Sequence, residues 1–576
     1  MLKNKWIIAA ALLIAGAAAF ILFSRGGQTP KQFYLKAEAK NFEKYSKRIK
    51  QGYKEFYTYY EPYLNSRSKT RLELTSSIKS ESENPFGISN ARGIIDILSK
   101  SKLIIDSAHD PKAKESLTKA SYLLERSPML DVNIFTANRQ LGLNIPVLLA
   151  EKYFIVDTDR IDEVYKRFKI PVAPKRIFRM SDIARDLNFS EEEFDGAVDK
   201  YGSLISSLIK DEDVKYGKQE NRIINSKEKR CRELSVTMDA QETKILFQEL
   251  AEDVSADDKL IKLTFGNYII LASMLDDAGV FQLVEFLENS GVLSLNDVLK
   301  SYISNLNIKN TQVGLSKELV QFIERMDFPE GLTMTMLVDN TGNIVERKIS
   351  VIMAEKGGRN ILLDIKTGLK DENSDIFSKG GLDLGVTLKE QGKDKLFLGW
   401  SVNTDITETE KSGGRNGSIN VSHARKRNDK DEFAISANFY VDSRTDAATL
   451  KKIGSTRYEI GFWAQDPKVV DRFFGDVKWE SWKNNKQKTL NRNINMDLNF
   501  ELPTLDLKNT SIKLDIKAED KFDIEFKLPE VKNENRIHLN SITDRDLKKV
   551  EEDIAKSFGV FYLQNKPLID AVAGEK

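Results

Sequence analysis

The chain has 576 residues, 88 Lys and Arg against 87 Asp and Glu, a net charge of +1, three histidines and a single cysteine. That length predicts more than one folding unit and abundant core material. The evenly interleaved charges exclude the basic footprint of a nucleic-acid binder, and one cysteine excludes an intrachain disulfide framework.

Residues 1–25 place Lys3 and Lys5 before an unbroken apolar run from Trp6 to Phe23. Eighteen residues at about 1.5 Å each reach roughly 27 Å, enough to cross a bilayer. The run exceeds a signal-peptide core of about 7 to 15 residues, although Ala17, Ala18 and Ala19 would suit cleavage. The expectation is a single-pass anchor through residues 6–23 in the cell membrane, N-terminus cytoplasmic and the bulk extracytoplasmic.

After a linker at 26–31, Phe42, Tyr45, Ile49, Tyr53, Phe56 and Tyr60 recur at helical spacing, with Pro62 as the expected end. "RLELTSSIKS" alternates as a strand, and residues 129–159 read as two or three strands broken at 138–140 and near 151. Asp157 or Asp159 is expected to cap a short helix through Val164 and Phe168. Residues 175–230 read as a charged helical connector, with a capping box at Ser190 and Glu193, and "KQENRIINSKEKR" as its charged end.

From Cys231 onward, Leu234, Val236 and Met238 alternate, and Asp239 with Glu242 opens a helix. "GLTMTMLVDNTGNIVERKISVIM" reads as a hairpin reversing at Asp339 to Gly342. Alternation then dominates, clearest at 494–502, 512–517 and 522–528, where one strand face is apolar and the other charged. An amphipathic helix follows Thr543, carrying Leu547, Val550, Ile554 and Phe558 on the side expected to pack on a sheet.

The expected fold class is α+β: an N-terminal transmembrane helix, then two helix-plus-antiparallel-sheet units, their sheets curved as half-barrels. The units are 32–174 and 231–540, with 541–576 as a C-terminal helix and tail. A membrane β-barrel also uses alternating strands, but the helical anchor and the intervening amphipathic helices argue for a body in front of a membrane.

No catalytic constellation emerges, so no catalytic, cofactor-binding or metal-ligating residue is assigned and no cofactor is expected. His109, His423 and His538 have no companions at ligand spacing. Cys231 is expected to be a buried apolar residue rather than a reactive thiol. "KGGLDLG" at 379–385 and "KSGGRNGS" at 411–418 lack the strand-to-helix context of a phosphate loop and read as hairpin turns. Asp257 with Asp258 and Asp276 with Asp277 are adjacent pairs that diverge on a helix. Phe462, Trp463, Phe473, Phe474, Trp479 and Trp482 form the densest aromatic region, expected in a sheet core.

"YLKAEAKNFEKYSKRIKQGYKEFYTYYEPYL", "LGLNIPVLLAEKYFIVDTD" and "CRELSVTMDAQE" resemble a membrane-anchored family of Gram-positive bacteria known only as a domain of unknown function. The hairpin "LTMTMLVDNTGNIVERKISV" is similar to a strand pair of lipoprotein-carrier-like domains, whose curved sheet is closed by helices around an apolar cavity. The first resemblance implies location and architecture; the anchor and the absence of a site constellation point to a non-enzymatic envelope module with an envelope protein or lipid as partner, and the apolar strand faces at 494–528 to the alternative, a protein that binds lipid on the apolar face of a curved sheet. Neither resemblance supplies a catalytic motif.

Overall fold

The computed structural model describes residues 29–82, 91–169, 191–257, 282, 320–355, 358–371, 378–409, 414–428, 430–446, 451–464, 469–484, 486–503 and 507–573. The strands described form one 21-stranded sheet. Its spine is an antiparallel meander in which each strand pairs with the next: β10 (Leu332–Asp339), β11 (Ile344–Glu355), β12 (Arg359–Leu369), β13 (Lys379–Glu390), β14 (Lys393–Thr409), β15 (Gly414–Arg427), β16 (Lys430–Thr445), β17 (Lys452–Ala464), β18 (Asp471–Asn484), β19 (Thr489–Leu502) and β20 (Leu507–Phe522). At its far side β20 pairs with β1 (Ser68–Lys79), and the chain of pairing continues through β2 (Ser101–Asp110), β3 (Glu115–Leu124), β4 (Ser127–Ala137), β5 (Gln140–Asn144) and β6 (Tyr153–Asp157). β21 (Arg536–His538) adds to β6 in parallel. On the near side β10 pairs with β8 (Lys227–Met238), which pairs with β7 (Val214–Ile224), while β9 (Met326–Asp327) joins the end of β11.

This corrects the α+β expectation. The two expected units are two stretches of one sheet, because the Ser68–Lys79 strand lies along Ser511–Phe522 over its whole length. Pairing between segments more than 400 residues apart has no local sequence signal, whereas helix periodicity does, and the helices therefore looked more important than they are.

Among the described residues the helices are α1 (Pro30–Asn65), α2 (Ala91–Ser99), α3 (Ile161–Phe168), α4 (Glu191–Leu208), α5 (Ala240–Ala256) and α6 (Asp544–Ala573), the last of which contacts α2. α1 is longer than its aromatic periodicity predicts. A capping box starts it, with Thr29 Oγ1 accepting from Gln32 N at 3.2 Å, and Pro62 sits inside its last turn without ending it. The Asp239–Glu242 box forms as expected, Asp239 Oδ1 accepting from Glu242 N at 2.8 Å and its own N donating to Glu242 Oε2 at 3.0 Å. Ser190 lies outside the described residues. Neither Asp157 nor Asp159 caps α3; a short 3-10 turn leads in, and the Asp157 carboxylate instead accepts from Gln140.

"KQENRIINSKEKR" is a hairpin rather than connector: β7 and β8 reverse at Asn225 and Ser226, both left-handed with φ of 51° and 58°. Strand β20 ends at Phe522, so the alternation at 524–528 is not strand. "KGGLDLG" lies within β13 rather than in a turn, and the described part of "KSGGRNGS" opens β15.

The packed core sits under the helices at the near side. Leu234, Val236, Met238, Met334 and Met336 from β8 and β10 meet Tyr34 and Leu35 of α1, Tyr201 and Ile205 of α4, and Leu246 and Leu250 of α5. Each of these side chains, fully removed from water, contributes about 1.5 to 3 kcal/mol.

Candidate functional site: the bare apolar face

Because side chains alternate along each strand and the register is continuous, one face of the sheet stays apolar from strand to strand. One row across it reads Val402, Val421, Ala437, Ile460, Phe473 and Phe500. Another reads Trp479, Ile494, Ile516, Leu74, Leu103 and Tyr122. The opposite face carries Asp405, Ser418, Tyr440, Arg457, Asp476 and Asp497 in one row.

That charged face is tied by ion pairs and hydrogen bonds: Arg71 to Asp106 at 2.9 Å, Lys102 to Glu73 at 2.7 Å, Arg457 to Asp476 at 3.3 Å and Asn493 to Glu480 at 2.6 Å. Between β14 and β18 it holds an open trough of about 540 Å³ lined by Asp405, Tyr440, Asp442, Arg457 and Asp476.

The apolar face changes character along the sheet. From β8 to β13 it is buried by helices. From β14 to β20 and on through β1 to β4 most of its side chains are half-buried, and Val421 is 36% exposed. Phe473 stacks on Phe462 at 5.7 Å and meets Phe500 edge-on at 5.4 Å. The aromatic region is thus not a closed core. Phe462, Phe473 and Trp479 lie on the apolar face, while Trp463, Phe474 and Trp482 lie on the other, where Lys451 sits 5.1 Å over the Trp482 ring.

Two charged interruptions on the lower part of this face are covered by α1. Near its start, Glu38, 2% exposed, pairs with Arg347 of β11. Burial raises the Glu38 carboxyl above the ordinary carboxylate range, against the opposing pull of Arg347. Near its end, Tyr59 and Tyr63 accept from Arg492 of β19, which pairs with the fully buried Asp520 of β20.

The Asp339–Gly342 turn marks where α1 docks. Asp339 Oδ1 accepts from Thr341 N, Thr341 Oγ1 and Asn343 N at 2.8 to 2.9 Å, and the Thr341 carbonyl so presented accepts from Lys40 Nζ at 2.6 Å.

None of the chemistry-bearing residues singled out from the sequence is brought together with another. His423 lies mid-strand in β15, stacked on Trp400 at 4.8 Å with Nδ1 at 2.9 Å from the Gly399 carbonyl. His109 Nδ1 contacts the Glu115 carbonyl at 3.1 Å, and His538 Nε2 lies 3.3 Å from Asp157. Cys231 is buried among Ile224, Leu337 and Val345. Asp257 accepts from Tyr201 at 3.0 Å, whereas Asp258, Asp276 and Asp277 lie outside the described residues. Among the described residues no group of three His, Cys, Asp or Glu could hold a metal ion.

No family model matches the chain, and no curated protein matches it. Among solved structures, a loop-deleted OmpT, an outer membrane protein of Vibrio cholerae, aligns at 6% identity over 80% of this chain and 98% of its own, with a TM-score of 0.18. OccAB2 of Acinetobacter baumannii aligns at 6% identity over 79% and 98%, with a TM-score of 0.20. OpdQ of Pseudomonas aeruginosa aligns at 6% over 79% and 96%, with a TM-score of 0.14. Such scores are too low for a shared fold and assign none.

These findings correct the resemblances drawn from sequence. Neither the Gram-positive family nor the lipoprotein carriers are supported, since no family model matches and one continuous sheet replaces the two units they implied. The anchored two-unit module and the lipid carrier are corrected with them, because, among the described residues, α1, α4 and α5 pack directly on β8 to β13 with no enclosed cavity between, and from β14 to β20 most side chains of the face stay half-buried. Attachment to the cell membrane by one helix is corrected as well. Residues 6–23 lie outside the described residues, no described helix is long and apolar enough to cross a membrane, and the large apolar surface belongs to strands.

Proposed function

We propose that the protein is a membrane-inserted β-sheet protein whose bare apolar face meets acyl chains while its charged face fronts water, as the wall of a passage for polar solutes does. The observation that carries this reading is the half-exposed, predominantly apolar face that continues from strand to strand from β14 through β20 to β4. Soluble monomers rarely leave an apolar patch beyond a few hundred Å² open to water.

Strand length and bonding support it. β14 to β20 run 13 to 17 residues, longer than the roughly 9 to 11 that a tilted strand needs to cross hydrocarbon. In a sheet the backbone groups of inner strands are satisfied by their neighbours, as a bilayer demands. Near the two ends of the sheet, β7 contacts α1 and β6 contacts α3, in keeping with the need to shield sheet edges.

The full chain, reconstituted in phosphatidylcholine vesicles carrying an acyl-chain diazirine, tests the reading by where the label lands. Labelled peptides from 396–522 and release of an entrapped small sugar are expected. A sheet left unlabelled, with vesicles that stay tight, overturns it.

A further inference from the structure

Helix α1 lies across the strands rather than along them. Glu38 meets β11, Arg48 reaches Glu408 at the end of β14 at 3.5 Å, and Tyr63 meets Arg492 of β19 and Phe522 of β20. From residue 38 to 48 the helix advances about 15 Å while three strand spacings cover about 14 Å; from 48 to 63 it advances about 22 Å against about 24 Å for five strands. Helix and sheet therefore stay in step. All of these contacts fall at one end of the strands, the end that carries the Asp339–Gly342 turn.

If the strands cross a membrane, a helix running along their ends lies in the plane of the water–hydrocarbon interface. This inference rests on that reading of the sheet. The composition of α1 suits the place: seven Tyr and three Phe, and eight Lys or Arg against four Glu, a surplus of four positive charges in a chain whose total is +1. Tyrosine rings favour the headgroup level, and amphipathic interfacial helices carry lysine on their polar face.

The lysines are also placed. Lys36, Lys47 and Lys54 are exposed, and at 100° per residue they fall within about 20° of one another, on the side opposite the buried Tyr34, Glu38 and Phe42. They form one line about 27 Å long, interrupted by the exposed Glu43.

We infer that the outer face of α1 is an interfacial docking surface for anionic phospholipid headgroups, with Lys36, Lys47 and Lys54 as its contacts. Each lysine near an anionic surface adds about 1 kcal/mol, close to a fivefold gain in partition, so three together add roughly a hundredfold.

The experiment compares the full chain with K36Q/K47Q/K54Q, in phosphatidylcholine vesicles with and without phosphatidylglycerol, at low and high salt. The parent chain is expected to partition more strongly into the anionic vesicles and to lose that preference in salt; the triple variant is expected to lose most of it at low salt. A circular dichroism spectrum identical to the parent's confirms that three exposed substitutions leave the fold intact. A triple variant that keeps the full anionic preference overturns the inference. Diazirine labelling of 396–522 in neutral vesicles reports separately on the sheet, so its persistence without any headgroup preference sinks this inference alone.

Discussion

The stretch from β8 to β13 and the stretch from β14 to β20 have the same alternation, the same antiparallel meander and the same apolar face, and differ in what lies on that face. In the first, α1, α4 and α5 bury Leu234 and Met336 to 1% exposure or less; in the second, Val421, Phe473 and Leu498 remain half-covered. Identical strand chemistry thus yields a soluble-type core where helices cover it and a bare apolar wall where they do not, and the wall needs a second solvent.

The sharpest way to break that comparison is to orphan a charge under α1. Arg347→Met leaves Glu38 buried without its cation and is expected to cost about 3 to 5 kcal/mol, measured as a fall in the urea midpoint of the detergent-solubilised chain. Glu38→Met combined with Arg347→Met is expected to recover most of it. A mild effect of the single change would mean that α1 does not seal the face at that point.

Leu234→Ala, in the covered section, is expected to cost about 2 to 5 kcal/mol, whereas Leu498→Ala, in the bare section, should cost about 1 kcal/mol in detergent. Equal losses would show that the bare section has a protein cover after all.

The pH dependence of stability distinguishes the sections more gently. Burial raises the folded-state pKa of Glu38, so its contribution to stability is full below the unfolded carboxylate pKa and is lost as pH rises through the raised value. Unfolding of the parent, followed across that interval, should show a slope that Glu38→Gln flattens. Thr29→Ala, which removes the side-chain cap of α1, is the smallest expected effect, about 1 kcal/mol.

Much of the local structure was legible in the sequence, and the reason is periodicity. Ile494 to Leu502 and Ile512 to Ile516 alternate because one face is apolar along their length. The Asp339 turn was legible because Asp, Thr, Gly and Asn supply its bonds directly. The β7–β8 hairpin was not, since β7 is an edge strand with most of its residues exposed on both faces, which leaves no alternation to read.

The apolar face itself was visible as a set of single strands, but its continuity was not. That depends on β20 lying beside β1, with Ile516 opposite Leu74 and Leu514 opposite Ser76, and no local signal encodes such a pairing. The basic line on α1 was equally hidden, because Lys36, Lys47 and Lys54 gain meaning only once Glu38 and Tyr63 fix which side of the helix faces the sheet.

The central claim is that the bare face meets hydrocarbon while its reverse meets water, and two adjacent residues on β19 test it directly. Met496 lies on the apolar face and Asn495 on the charged one. With Cys231 replaced by Ala, a bimane fluorophore is attached at Met496→Cys or at Asn495→Cys in the full chain reconstituted into vesicles. The account predicts strong quenching by acyl-chain-brominated lipid at 496 and by aqueous iodide at 495. Iodide quenching at both positions, with brominated lipid without effect, would contradict it.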